Sequence, residues 1–230
     1  MSIIRRIRGQ QSGQKHQSDE YQTIAYSQEG EDLVLKRLFP GRIDGFYVDI
    51  GAHHPYRFSN TYLFYKLGWC GINIDPIPGI KKSFDTERPR DINLEMAVSD
   101  EHATLNYYNF KEKALNTFSE PLARQYQAAN WDMESVIPVE TFTLAQILDQ
   151  YCPSGRKIDF MTIDVENLEM KVLGSNNWER YKPEVLVIEV LDCPADQVTD
   201  TEIYRFLHAK GYQFVAKTFN TCFFKIKDQE

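Results

Sequence analysis

From residue 31 onward, unbroken apolar runs trade places with stretches whose apolar positions recur at helical spacing. The first run, Phe46, Tyr47, Val48 and Ile50, has no polar face, which is the pattern of a strand covered on both sides of a sheet. Before it, "EDLVLKRLF" places Leu33, Val34, Leu38 and Phe39 on a helical stripe that Pro40 and Gly41 stop. After it, "SNTYLFYKLG" predicts a helix opened by Ser59 or Asn60 and closed by Gly68. A strand in "GINIDP", a short helix in "IPGIKKSFDTE" and a strand in "INLEMAVSD" follow. "ATLNYYNF" alternates as an edge strand does. Residues 111–136 have no firm period and read either as a substrate lid or as a surface helix and loop. The alternation then resumes with helix "TLAQILDQY", strand "IDFMTIDV", helix "NLEMKVLGSNNW", strand "PEVLVIEVL" and helix "TDTEIYRFLHAKG". Two last strands, "YQFVAKTF" and "TCFFKIK", meet at Asn220 and Thr221 in an antiparallel hairpin. Five strand–helix units and a closing hairpin predict an α/β, doubly wound, mostly parallel seven-stranded sheet with one reversed strand.

Composition narrows this picture. A chain of 230 residues that is 42% hydrophobic supports one sizeable core, so residues 23–230 are expected to be a single domain. The opening "MSIIRRIRGQQSGQKHQSDE" is polar and lacks an apolar stretch long enough for a signal peptide or membrane span; residues 1–22 read as a flexible tail. A formal charge of −7 argues against a nucleic-acid partner. The four cysteines, Cys70, Cys152, Cys193 and Cys222, form no C-x-x-C pair, which suits reduced thiols in a cytoplasmic protein rather than a zinc site or disulfide framework. Oligomeric state is not encoded in any of these features.

Ligands of doubly wound sheets sit at the carboxyl ends of the strands, so the acids there are the candidate chemistry. Asp49 falls near the end of the first strand and Asp75 at the end of the second, 26 positions later, a separation suited to a carboxylate that receives ribose hydroxyls. Asp100, Asp164 and Glu189 follow the third, fourth and fifth strands. Gly51 admits a close approach of backbone or ligand, but G-x-G-x-x-G is absent and Pro55 occupies the region of a third glycine, so a pyrophosphate cradle is poorly served. A nucleoside with a charged amino-acid arm needs less, and S-adenosylmethionine has that shape.

The segments "YSQEGEDLVL", "FYVDIGAHHPYRFSNTYLFYKLGWCGINIDPIPG", "RPRDINLEMAVSD", "ALNTFS" and "IDFMTIDVENLEMKVL" together resemble FkbM-type S-adenosylmethionine-dependent methyltransferases, over residues 26 to about 191. The resemblance implies a Rossmann-like class I methyltransferase fold and methyl transfer to oxygen, frequently on a sugar: a nucleotide sugar, polysaccharide or glycoside precursor. Position by position it implies that Asp49, Gly51 and Ala52 form the cofactor loop and that Asp75 is the ribose acid. It further implies that Ala97 to Asp100, Ser99 included, border adenine, that Gln28 and Glu29 are the entrance motif, and that Asp164 and Glu166 are the acid pair of the fourth strand's end, Asp164 also lying on the cofactor side. His53 stands where that family commonly has asparagine, Pro55 where it has glycine, and Asn167 where a glycine often follows the acids.

Transfer from a sulfonium depends on alignment and on removal of the acceptor's proton. His53, His54, Asp164, Glu166 and Glu189 are the candidate bases; Ser59, Asn60, Asn116 and Glu189 suit recognition of acceptor hydroxyls. Asp164 and Glu189 would be the ligands if Mg²⁺ took part. Two other readings stay open: a methyltransferase for a non-sugar metabolite or a nitrogen, and a nucleotide-binding module without turnover.

Overall fold

The structure, a computed structural model, describes residues 22–227, so the expected tail lies outside them except for Gln22. The main sheet is built from β1 (Phe46–Ile50), β2 (Cys70–Ile74), β3 (Ile92–Leu94), β7 (Phe160–Ile163), β8 (Val185–Glu189), β9 (Tyr212–Lys217) and β10 (Thr221–Ile226). Its order is β3-β2-β1-β7-β8-β10-β9. The chain reverses direction across the sheet between β1 and β7: β1 runs parallel to both β2 and β7, with Val48 opposite Ile72 on one side and Met161 on the other. β10 alone runs against the other six strands, antiparallel to β8 and β9, as the single reversed strand required. Thr221 is the first residue of β10 rather than part of the turn.

The continuous apolar runs follow from covering on both faces. Alternate residues of each strand enter opposite clusters: Val48, Ile50, Met161 and Ile188 pack under α5 (Leu144–Tyr151), α6 (Glu169–Gly174) and α7 (Glu202–Ala209). Tyr47, Phe160, Val187 and Phe223 pack with Leu35 of α1 (Glu31–Leu38), Phe64 of α2 (Tyr62–Lys66) and the fully buried Trp69. Helix α3 (Ile80–Glu87) contributes Ile80 and Phe84 to a third cluster with Ala52, Ile77 and Tyr107. Local capping fixes several helix starts; Thr143 and Gln146 form a reciprocal capping box on α5.

Two expectations are corrected. "INLEMAVSD" is not one strand: it breaks at Glu95 and Met96, and its second half, β4 (Ala97–Val98), joins a separate three-stranded sheet with β5 (Thr104–Phe110) and β6 (Met133–Phe142), in the order β4-β6-β5. Strand β6 itself is absent from the sequence reading because Pro138 interrupts its alternation. Yet β4 pairs only with Thr141 and Phe142, so at Pro138 the strand is a sheet edge, where proline is tolerated. Residues 111–136 resolve into a 3₁₀ turn (Lys113–Leu115), helix α4 (Glu120–Ala128) and the start of β6. Among the described residues no helix is long and apolar enough to cross a membrane, and all four cysteines are free thiols.

Candidate functional site

A cavity of about 350 Å³ opens over the carboxyl ends of β2, β1, β7 and β8, at the point where the strand order reverses. Its floor is the turn after β1. Gly51 sits there at φ +82°, and a Cβ on it would lie 1.7 Å from the carbonyl oxygen of Asp164. The close approach that glycine permits is therefore made by the end of β7. Next to it His53 adopts φ +53° and donates its backbone N–H to Asp75 Oδ2 at 2.8 Å, while Ile77 N–H donates to Asp75 Oδ1 at 2.8 Å. Asp75 is thus buried, with each oxygen oriented by one backbone donor and further lone pairs free.

The two histidines part here. His53 lines the cavity with its Nε2 buried and unpartnered. His54 does not line it; its Nδ1 accepts from the backbone N–H groups of Tyr56 and Arg57 at 3.3 and 3.2 Å and so caps the loop. Ser59 is likewise turned away from the cavity and buried, accepting from Tyr62 N–H at 3.1 Å; the N-cap of α2 is Thr61, not the Ser59 or Asn60 that the sequence suggested. Asn60 does line it, with Nδ2 donating to Thr162 Oγ1 at 2.9 Å.

One end of the cavity is apolar. Ile77, Met96, Val98, Tyr107, Leu115 and Phe118 form it, drawn from β2's exit, the β3–β4 link, the second sheet and the segment between β5 and α4. Ala97 and Ser99, expected beside the ligand, do not line it. The alternation of an extended segment gives Met96 and Val98 to the cavity and the intervening residues to the other side. Asp100 is also outside, held by Ser99 Oγ and paired with Lys171 at 3.3 Å. Asn116 is 7% exposed; its Oδ1 accepts from Phe110 N–H at 2.7 Å, leaving Nδ2 without a partner among the cavity walls.

The other end is acidic. Asp164, Glu166 and Glu189 bring one carboxylate oxygen each within 4.8 Å of one another, and Glu189 Oε2 is buried without a donor. Glu166 and Asn167 sit in left-handed conformations, φ +53° and +74°. Glu169 holds that turn by accepting from Val165 and Asn167 N–H at 3.1 and 3.2 Å, and Tyr126 of α4 donates its hydroxyl to Glu166 Oε2 at 3.3 Å. Gln28 and Glu29 close this end; Glu29 Oε2 accepts from Asn220 N–H at 2.8 Å, which ties the entrance segment to the β9–β10 turn. Glu169 and Tyr126 were missed by sequence reasoning. Glu169, the first residue of α6, carries the ordinary preference for an acid at a helix start, whereas nothing local marks Tyr126.

A family model described as the methyltransferase FkbM domain matches residues 49–214, most of the chain. The chain belongs to that family. No individual curated protein gives a significant match to it. Membership in the FkbM methyltransferase family makes the reaction class a methyl transfer and implies S-adenosylmethionine as the donor.

In this FkbM domain the carboxylates are poorly solvated and poorly compensated. Burial raises Asp49 and Asp75 to about 6, against which Thr61 and the backbone donors respectively pull down. Burial, then the neighbouring Asp164, raises Glu166 to about 8. Burial and Glu189 push Asp164 well up, and burial and Glu166 raise Glu189. Lys113 is the only lysine or arginine among the described cavity residues, and its ammonium turns to Asn109, the Phe110 carbonyl and Glu134. His53 is lowered to about 4 by burial and then Arg57, so its ring is neutral near pH 7.

Proposed function

We propose that the cavity binds S-adenosylmethionine and directs its methyl group to a hydroxyl of an uncharged sugar, in a polysaccharide or glycoside. The observation that carries this reading is the polarity gradient: apolar walls at the β2 end, Asp75 and His53 between, carboxylates at the β8 end. At the usual strand spacing of about 4.8 Å, the span from β2 through β1 and β7 to β8 is about 14 Å. An adenine ring suits the first region, ribose hydroxyls suit Asp75, and a positively charged sulfur and ammonium suit the third. The cofactor supplies an electrophilic methyl carbon on that sulfur.

The chain's own residues bind, orient and take a proton. Ile77, Met96, Val98 and Phe118 grip a flat ring, and Asp49, Gly51, Ala52, Gln28 and Glu29 surround the arm. The Asp164, Glu166 and Glu189 group, crowded with like charge, accepts the hydroxyl proton when at least one member is ionised. His53 Nε2, Asn60 and Asn116 are positioned to orient acceptor hydroxyls. An acceptor bearing phosphates would meet this carboxylate group with no facing cation, which favours neutral glycosides over nucleotide sugars.

A second reading rests on the same three oxygens: hard cations take carboxylates in such clusters, and Mg²⁺ held there would polarise the acceptor hydroxyl. The deciding experiment incubates the protein with cofactor and a panel of free glycans, aryl glycosides, nucleotide sugars and amines, with and without EDTA, and reads a mass gain of one methyl. Methylation of a neutral glycoside unaffected by EDTA is expected. Activity abolished by EDTA and restored by Mg²⁺ supports the metal reading; methylation confined to nucleotide sugars or amines overturns the acceptor class. Cofactor binding by calorimetry without any product would leave a binding module.

A further inference from the structure

Arg88 is 0% exposed, at the end of α3 and outside the cavity, and its guanidinium is hydrogen-bonded at all three nitrogens. Nε donates to Asp91 at 2.8 Å, and Nη2 donates to the Tyr47 hydroxyl at 2.6 Å. Both terminal nitrogens donate to Thr61 Oγ1 at 3.1 Å, and Nη1 reaches the carbonyl of Pro55 at 3.3 Å and Ser59 Oγ at 3.4 Å. Thr61 Oγ1, its lone pairs taken by these N–H groups, donates its own proton to Asp49 Oδ2 at 2.7 Å. The bonds run in one direction: guanidinium to hydroxyl to the carboxylate that lines the cavity. The same side chain grips three points of the loop between β1 and α2, the loop that holds His53 and Phe58 at φ +53° and +56° on the cavity wall.

We infer that Arg88, acting through Thr61, is a positioning residue of this site: it orders the β1–α2 loop and presents Asp49 to the bound cofactor as an ionised carboxylate. The inference rests on the cofactor reading above. Asp49 needs such support. The charges facing it are Arg88 from α3, Asp91 beyond it, and Asp75 and Asp164 from the adjacent strand ends, so three of its four charged neighbours oppose its ionisation. The hydrogen bond from Thr61 and the charge of Arg88 are the influences that favour the anion; the charge acts through space, and the hydrogen bond depends on the one hydroxyl that Arg88 holds in place.

The test uses Thr61→Val, which keeps the shape and removes the hydroxyl, beside Thr61→Ser, which restores it, on the full chain. Affinity for S-adenosylmethionine is measured by calorimetry from pH 5.5 to 9, with thermal unfolding recorded for each variant. In the wild type, affinity declines on the acid side as Asp49 and Asp75, both raised to about 6, take protons, and only the Asp49 part depends on Thr61. In Thr61→Val that part of the decline is expected to move up by about one pH unit, because a charge-assisted hydrogen bond of this kind is worth about that much in ionisation. Affinity at pH 9 should stay within about threefold of wild type, and Thr61→Ser should reproduce the wild-type curve. A Thr61→Val curve that superimposes on wild type, or one lowered equally at every pH, overturns the inference. Arg88→Lys, which keeps the charge but lacks the fork, should move the decline in the same direction. Failure of the wild type to bind the cofactor at any pH would instead overturn the cofactor reading, so the two are separable.

Discussion

At the scale of single residues, the site is a set of side chains whose backbone partners leave selected atoms free. Asp75 is oriented by His53 and Ile77 N–H groups and presents its remaining lone pairs to the cavity. Asp75→Asn retains the shape but removes the charge, and we expect calorimetry to show S-adenosylhomocysteine binding weakened by about 1.5–3 kcal/mol, the cost of losing charge-assisted bonds to two hydroxyls. Equal affinity would show that the acid does not take the ribose. The pH dependence is also set here. A histidine base of ordinary pKa would give an acid limb near 6.5, but His53 is held to about 4 by burial and Arg57, and His54 is spent as a loop cap. The acidic group, with Glu166 raised to about 8, should govern instead. We expect kcat/KM to climb with pH through about 8, the direction for a base that must first lose its proton, and Glu166→Gln to remove that limb. A limb that persists in Glu166→Gln would move the base to another group.

Elements decide which of those residues can meet. The turn between β7 and α6 carries Glu166 in a left-handed conformation because Glu169 accepts two backbone N–H groups, and the turn after β1 packs against it through Gly51. Gly51→Ala would drive a Cβ into the Asp164 carbonyl at φ +82°; about 3 kcal/mol or more of stability should be lost, seen as a fall of about 6–12 °C in the melting temperature. A melting temperature within 2 °C of wild type, on the order of 1 kcal/mol or less, would contradict this packing. Helix α4 supplies Tyr126 from a segment with no readable period. Tyr126→Phe should leave cofactor affinity unchanged and lower kcat, since it frees Glu166 without touching the apolar end; a loss confined to cofactor binding would place α4 over the wrong half of the site.

Across the whole molecule, the clustered acids make stability depend on pH. Asp49, Asp75 and Glu166 have folded-state pKa values above those of free carboxylates, so each contributes stability that is present at low pH and is lost as pH rises through about 6 to 8. His53 acts in the opposite sense, its lowered value removing stability as pH falls from about 6.5 toward 4. Melting curves of the unliganded protein should therefore decline from pH 6 to 8 and level off above that, and a cationic ligand should restore more at pH 8.5 than at pH 6. A curve flat across that range would mean that water or ions already relieve the cluster. Much of this architecture was legible in the chain. Apolar runs such as that of β1, and helices closed by Gly or Pro, follow local steric and burial rules, which is why the doubly wound order and the acids Asp49, Asp75, Asp164 and Glu189 at strand ends could be read directly. The sequence by itself thus determined the layers and the rim over which the cavity opens. Only the tertiary structure decided which side each residue of a short extended segment would face, giving the cavity Met96 and Val98 in place of Ala97 and Ser99. It also brought Tyr126 to Glu166 across 40 positions and set a buried Arg88 behind Asp49, because such contacts depend on how distant elements pack and leave no periodic trace in the chain.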